Sequence, residues 1–336
     1  MGVSLLGKYA GRRGDVRAAC RVLILVFAAT CPCLAMAAST ILLEPIRVAS
    51  QTYYFRGHAG MASASNQGFM SNAGFVVTND GVVVFDALAS PALGEAMLAA
   101  IRKVTSKPVK HVIVSHYHAD HFYGLQVFKE QGAQIWAHER ARATLASDFT
   151  LQRLAERRTS LAPWVNASTR LIAADVWIRF DSTGAHSFSL GGKTFRIIDA
   201  SGAHSPEDIM LFVEGEGVLF TGDLFFTGRI PFVGDADSRA WLGTLERMTT
   251  VRPQVAVPGH GDASTNVMQD IALTRDYLVF LRKVMGEAVA ELISFDEAYA
   301  KVDWSRFERY PAFREANRLN AYGAYLQMER ESLAGK

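Results

Sequence analysis

Short apolar runs alternate with polar, glycine-bearing breaks through the middle of the chain. Residues 52–56 (TYYFR) read as a strand, and 73–78 (AGFVVT) and 81–85 (GVVVF) as two more, joined by Asn79-Asp80-Gly81, a strong hairpin signal. From Ala92 the period lengthens, and Leu93, Met97, Ile101 and Val104 fall on one face of a helix. Residues 110–115 (KHVIVS) form a short apolar strand, followed by a helix over 124–131, a strand over 134–137 and a charged amphipathic helix over 138–158. Strand patterns return from Phe188, at 193–198, 209–214 and 218–221; a helix over 242–248 and a last strand at 255–257 follow. Beyond about Ala263 the pattern is helical, over 267–289, 295–302 and 313–332. Two β-rich halves with interspersed helices predict a layered α/β sandwich, residues 38–263, with a helical extension over 264–336 packed on it.

The first stretch differs in kind. Lys8, Arg12, Arg13, Arg17 and Arg21 precede an apolar run from Val22 to Met36, which closes on Ala35-Met36-Ala37. A basic lead, a short apolar core and a small-residue site describe a secretory signal peptide over 1–37, cleaved before Ala38, and so a periplasmic or secreted protein. The alternative is an uncleaved anchor, since the run approaches the ~20 residues that span a bilayer. This is the only route to a membrane that the sequence offers.

Removing the segment changes two things. All three cysteines (Cys20, Cys31, Cys33) leave with it, so a metal site in the mature chain must be built from imidazole and carboxylate. The 35 basic and 33 acidic residues become 30 and 32, so the basic balance belongs to the signal. With no basic patch interleaved with aromatics, a nucleic-acid partner is not expected. A small-molecule substrate is; nothing in the sequence sets an oligomeric state. The composition, 49% hydrophobic and 20% charged, suits a globular domain with a sizeable core.

The chemistry gathers at strand ends. After KHVIVS the chain reads Ser115-His116-Tyr117-His118-Ala119-Asp120-His121. In an extended segment side chains alternate, so His116 and His118 point the same way, half of a metal site. Asp120 and His121 follow where the chain turns toward a helix and can face a second ion. His204 (GAHSP), Asp223 (LFTGD) and His260 (PGHG) each follow a later strand, in glycine-flanked loops that let side chains meet at one sheet edge. Imidazole and carboxylate are donors that zinc accepts.

The ordered set HxHxDH, GxHS, TGD and PGHG resembles the metallo-β-lactamase superfamily over roughly Thr52 to Asp262. The resemblance implies a four-layer αββα sandwich with two zinc ions at one edge. It implies that His116, His118 and His204 bind the first zinc, that Asp120, His121 and His260 bind the second, and that Asp223 bridges both. It also implies hydrolysis of a small ester, thioester, lactone or β-lactam by a metal-bridging hydroxide, with Asp120 orienting it and relaying its proton. Asp223 stands where some lactamases carry a cysteine ligand, and Leu224 where they carry a substrate-binding lysine; Arg229 is a candidate replacement. This pattern looks more like thioesterase-, lactonase- and glyoxalase-II-type members, although the tail carries no clear glutathione-binding signature. Iron in the same ligands would make the protein an oxidoreductase such as a sulfur dioxygenase, and a non-catalytic periplasmic metal-binding module is the third class.

Other residues have two readings. Asp86 is either a brace for the metal loop or a turn cap, and Ser205 and Asp208 either brace His204 or start a turn. His58, His111, His138 and His186 lack partner motifs and read as packing or surface residues. Tyr117 and Tyr123 line the pocket or pack beneath it. The arginine-rich 139–158 is a solvated helix face or a lid, and Phe69 and Met70 lie where related folds carry a mobile flap.

Overall fold

The computed structural model describes residues 41–234 and 236–335. The signal segment and its cleavage site lie outside the described residues, among which no helix is long and apolar enough to cross a membrane.

The first half opens with strands β1 (Ile46–Arg47), β2 (Thr52–Phe55), β3 (Ala73–Val77) and β4 (Val82–Phe85). Helix α1 (Pro91–Val104) leads to β5 (Val109–Ile113), then α2 (Ala119–Phe122), α3 (Leu125–Glu130) and β6 (Gln134–His138). Helices α4 (Ala141–Leu145) and α5 (Asp148–Ser160) precede β7 (Val176–Ile178). These strands form one seven-stranded sheet in chain order, antiparallel from β1 to β4 and parallel from β4 to β7. The second half supplies β8 (Ala185–Leu190), β9 (Lys193–Asp199), β10 (Ile209–Val213) and β11 (Val218–Phe220). It continues with α6 (Ser238–Thr250), β12 (Val255–Val257), α7 (Val267–Ala290), α8 (Phe295–Lys301) and α9 (Phe313–Ala334). Its sheet has five strands in the order β12-β11-β10-β9-β8.

Three apolar cores separate four layers, and the alternation along β4 shows why. Val82 and Val84 face α1 and α3, packing with Leu93, Met97, Ile101 and Phe128. Val83 and Phe85 face the other sheet, packing with Ile197, Leu211 and Phe220. On the far side, Met210, Leu219 and Ala256 meet Trp241 of α6, Ile271 and Leu278 of α7, and Ala321 and Met328 of α9. A one-residue slip of β4 would exchange the residues of two cores, so the register is strongly set. The αββα sandwich expected from the sequence is the observed fold.

Two details differ from the pattern. The helix expected over 138–158 is broken: α4 ends near Ala146, and the Ser147 hydroxyl accepts from the Thr150 amide (3.2 Å), so α5 starts with its own N-cap. Strand β7 is too short, at three residues, to show a period.

At the end of the sandwich remote from the histidine loops, Glu216 joins the sheets. From the turn between β10 and β11 its carboxylate accepts from Ser50 Oγ (3.0 Å), the Gln51 amide (3.2 Å) and Thr52 Oγ1 (2.7 Å), and pairs with Lys193. Burial alone would raise its pKa, but Lys193 and these donors overcome that and hold it below the usual range. The folded state therefore binds this proton less readily than the unfolded chain. The stabilisation is complete above the unfolded carboxyl pKa of about 4.3 and is lost as pH falls through the lower folded value. Glu216→Gln is expected to cost on the order of 2 kcal/mol in urea melts at pH 7, with a gap that narrows at pH 3. A gap unchanged by pH would mean that the charge contributes nothing.

Candidate metal centre

The loops that follow β5, β9, β11 and β12 open at one edge of the two sheets, because β9, β11 and β12 run the same way. His118, extended, caps the start of α2, which then turns Asp120 and His121 back over the same edge. Two glycines make the approach possible. Gly222 has φ +54°, which favours glycine, and a Cβ there would lie 2.8 Å from Ser115 Cβ. A Cβ on Gly259 would lie 2.0 Å from Asp223 Oδ1, so only glycine lets the His260 loop close on that carboxylate.

All seven predicted residues come together. They fall into two groups, His116, His118, His204 and Asp223 in one and Asp120, His121 and His260 in the other, with donor atoms within 4.8 Å of one another in each. His118 Nδ1 lies 3.0 Å from His204 Nε2. Asp223 stands between the groups. Its Oδ2 lies 3.6 Å from His204 Nε2 and 4.0 Å from His116 Nε2, its Oδ1 lies 3.1 Å from His121 Nε2, and His260 Nε2 stands 3.3 Å from both oxygens. Asp120 Oδ2 is 3.5 Å from His121 Nε2 and 3.4 Å from His260 Nε2.

A surrounding layer fixes these rings. Asp86, at the end of β4, accepts from the Ser115 amide (2.7 Å) and hydroxyl (2.8 Å) and from His121 Nδ1 (2.8 Å). It is thus the brace, and it turns His121 Nε2 toward the centre. His260 Nδ1 donates to the Met70 carbonyl (2.7 Å), which fixes the same tautomer. Asn72 donates to the carbonyls of Pro258 and Gly261 (both 2.8 Å) and accepts from the Gly57 amide (3.0 Å), clamping the loop around His260. Asp208 accepts from the Ser205 amide (2.6 Å) and hydroxyl (2.7 Å), so this pair does brace the His204 loop. Glu207 accepts from the Tyr117 amide (3.3 Å) and from Thr144 Oγ1 (2.8 Å), tying α4 to the metal loop.

The electrostatics are those of a ligand set. Burial, joined by neighbouring imidazoles, pushes His116 well down, and burial pushes His118 down and His204 to about 3. Asp120 and Asp223 are held well below the carboxylate range: burial opposes this, but His121 and His260 override it. Burial would likewise lower His121 and His260, yet Asp223 and Asp120 pull both upward. Two buried carboxylates therefore demand positive charge at this spot, which protons on His121 and His260 supply and divalent cations would supply equally. His116 Nε2, His121 Nε2, Asp120 Oδ2 and Asp223 Oδ1 are buried and make no hydrogen bond. Unprotonated imidazoles and ionised carboxylates converging in this way fit metal ions.

A family description of the metallo-β-lactamase superfamily matches residues 66–260, more than half of the sequence. The chain belongs to the metallo-β-lactamase superfamily. It is 20% identical over 260 residues to a linear primary-alkylsulfatase of Pseudomonas sp., covering 66% of this chain and 48% of the relative. It is 24% identical over 197 residues to a type 2 metallo-β-lactamase of Bacteroides fragilis, covering 57% and 69%. Among solved structures, a stereoselective inverting sec-alkylsulfatase from Pseudomonas sp. superposes with TM-score 0.64 at 18% identity, over 85% of this chain and 50% of that one. A metallo-β-lactamase from Pontibacter korlensis superposes with TM-score 0.54 at 20% identity, over 70% and 99%. The chain thus spans about half the length of the alkylsulfatases it matches. As a member of this superfamily it carries a His/Asp cluster that could hold metal ions.

The remaining candidate histidines lie apart from the cluster. His111 packs against Trp136 and Phe188, Trp136 also meets His186, His138 faces Asp199 (3.6 Å), and His58 lies against Phe69. Tyr117 and Tyr123 are core residues, and so is Phe69, whose packing anchors the segment expected to be a flap. Arg229 is buried, its Nη1 3.3 Å from His260 Nδ1. The roles of Asn72, Met70 and Glu207 are not legible in the sequence, because the contacts from Asn72 to Pro258, Met70 to His260 and Glu207 to Thr144 cross 63 to 190 positions and no local pattern announces them. Asp86→Asn is expected to lower metal affinity 10- to 100-fold in chelator competition, since His121 loses its charged orienting partner. An unchanged affinity would reduce Asp86 to a turn cap.

Proposed function

We propose that the chain is a metallo-hydrolase that holds two zinc ions and cleaves a small ester, thioester, lactone or β-lactam outside the cytoplasm. His116, His118 and His204 would hold the first ion, Asp120, His121 and His260 the second, and Asp223 would bridge them. The observation that carries this reading is the placing of Asp223 between the groups, Oδ2 toward His116 and His204, Oδ1 toward His121, and His260 Nε2 equally near both oxygens. When bound, the ions would lower the pKa of water toward about 7 and polarise the scissile carbonyl.

The chain's own residues do the positioning. The Asp120 side chain is 17% exposed against 5% for Asp223, so Asp120 is the carboxylate that reaches incoming water. Its depressed pKa keeps it ionised, and it orients the attacking water by accepting a hydrogen bond. Asp223, more deeply buried, is left to the metals. The chain's three cysteines all precede residue 38, so no thiolate in the mature chain competes as nucleophile. The alkylsulfatases among the relatives add an alkyl sulfate to the esters to be assayed.

Export rests on the basic and apolar lead that ends at Ala37. The intact mass of protein recovered from the periplasm or medium of an expressing bacterium should correspond to a chain that begins at Ala38. A full-length chain confined to the cytoplasm would contradict export.

The catalytic reading is tested on protein expressed from residue 38. Plasma mass spectrometry should find about two zinc per chain. Nitrocefin, a lactone, a thioester and an alkyl sulfate are then assayed, with turnover of at least one expected and lost on chelation. Asp120→Asn should lower kcat about 10²- to 10⁴-fold. Iron in place of zinc, with oxygen uptake and no hydrolysis, would overturn the hydrolase reading.

A further inference from the structure

The segment between β11 and α6 has no regular structure from Phe225 to Gly234 and from Ala236 to Asp237, yet it touches both halves of the candidate centre. At one end the Arg229 guanidinium lies 3.3 Å from His260 Nδ1, and the Thr227 amide donates to the His260 carbonyl (3.1 Å). At the other end the Asp237 amide donates to the Ala203 carbonyl (3.1 Å), immediately before His204. Trp241, one turn into α6, sets its ring 5.1 Å from that of His204. His204 and His260 belong to different ligand groups. The segment is therefore a strut between them.

A strut without its own ladder of backbone bonds needs partners for its amides and carbonyls. The C-terminal helix supplies them. Asn320, fully buried on α9, accepts from the Val233 amide (2.8 Å) and donates to the Pro231 carbonyl (2.8 Å). Seven residues further on, two helical turns along the same face, Gln327 accepts from the Ser238 amide (3.1 Å) and hydroxyl (2.6 Å) and donates to Asp237 (2.8 Å). Buried amide side chains on a helix are costly unless fully paired, and apart from one bond from Asn320 to the Tyr277 hydroxyl on α7 (3.1 Å) these two direct their pairing at this segment and the first residue of α6. The Ile230 amide adds a bond to the Pro311 carbonyl (3.1 Å), just ahead of α9.

We propose that α9 is a positioning element of the metal centre: through Asn320 and Gln327 it holds the strut and so sets the spacing of the His204 and His260 loops. This rests on the proposed two-metal site for its consequence but not for its mechanics. The same helix carries its own control. Asn317, also fully buried, bonds only within the tail, accepting from Tyr277 (2.7 Å) and donating to Tyr299 (3.1 Å).

The test compares Asn320→Ala, Gln327→Ala and Asn317→Ala in protein expressed from residue 38 and purified with its metals. Amide hydrogen exchange is followed on peptides covering 229–238 and 202–208, and metal release to a chromogenic chelator is timed. Asn320→Ala and Gln327→Ala should exchange at least ~10-fold faster in both peptides and release metal about 10-fold faster. Asn317→Ala should lower the melting temperature comparably yet leave both peptides and metal release at parent rates. Equal effects from all three variants would make α9 ordinary packing and overturn the proposal, as would unchanged exchange in Asn320→Ala. Should Asn320→Ala prove too unstable to purify, Gln327→Ala decides by the same comparison. Should the parent hold no metal, the two-metal reading fails while the exchange rates still decide the mechanics.

Discussion

Two ionised carboxylates, the buried Asp223 and the partly buried Asp120, stand among five imidazoles, and most of this molecule's architecture serves that arrangement. Carboxylates in such surroundings are stable only if positive charge and hydrogen bonds meet them. Asp223 answers by facing both histidine groups at once, which obliges loops from both sheets to end within a few ångströms of one point. The sandwich provides this because strands of both sheets deliver their carboxyl ends to one edge. The glycines at 222 and 259 then remove the side chains that would hold the loops apart.

Orientation is enforced from outside the ligand set. Each ring nitrogen that faces away from the centre and has a strong partner, Asp86 for His121 and the Met70 carbonyl for His260, turns the other nitrogen inward. Those partners come from distant parts of the chain, so the centre is held by the fold as a whole. The helical tail extends the same logic. It closes the outer face of the second sheet with an apolar core, and it directs the buried amides of Asn320 and Gln327 at the strut between two ligand loops.

What could be read from the sequence follows a physical division. The hairpin over 73–85, the α1 face and the strand at 255–257 are written in local periodicity and turn chemistry, and they were legible. The seven ligand candidates are legible because each sits just beyond a short apolar strand, His204, Asp223 and His260 in glycine-bearing loops and the other four in one dense His/Asp run. The break at Ser147 was signalled only by a serine that can cap a helix, a cue outweighed by the continuous charged pattern around it. Asn72, Glu207, Asn320 and Gln327 were not legible, since a buried amide or carboxylate looks like any surface residue until the fold supplies its partners. Even Asp86, recognised as a candidate, needed the distance to His121 to decide between brace and cap.

The account stands or falls on whether these seven residues enclose two metal ions. Anomalous diffraction at the zinc edge, on crystals of protein grown without chelator, tests this directly. The account predicts two peaks about 3.5–4 Å apart, one beside His116, His118 and His204, the other beside Asp120, His121 and His260, with an Asp223 oxygen on each. A single peak, or two that do not share Asp223, would contradict it.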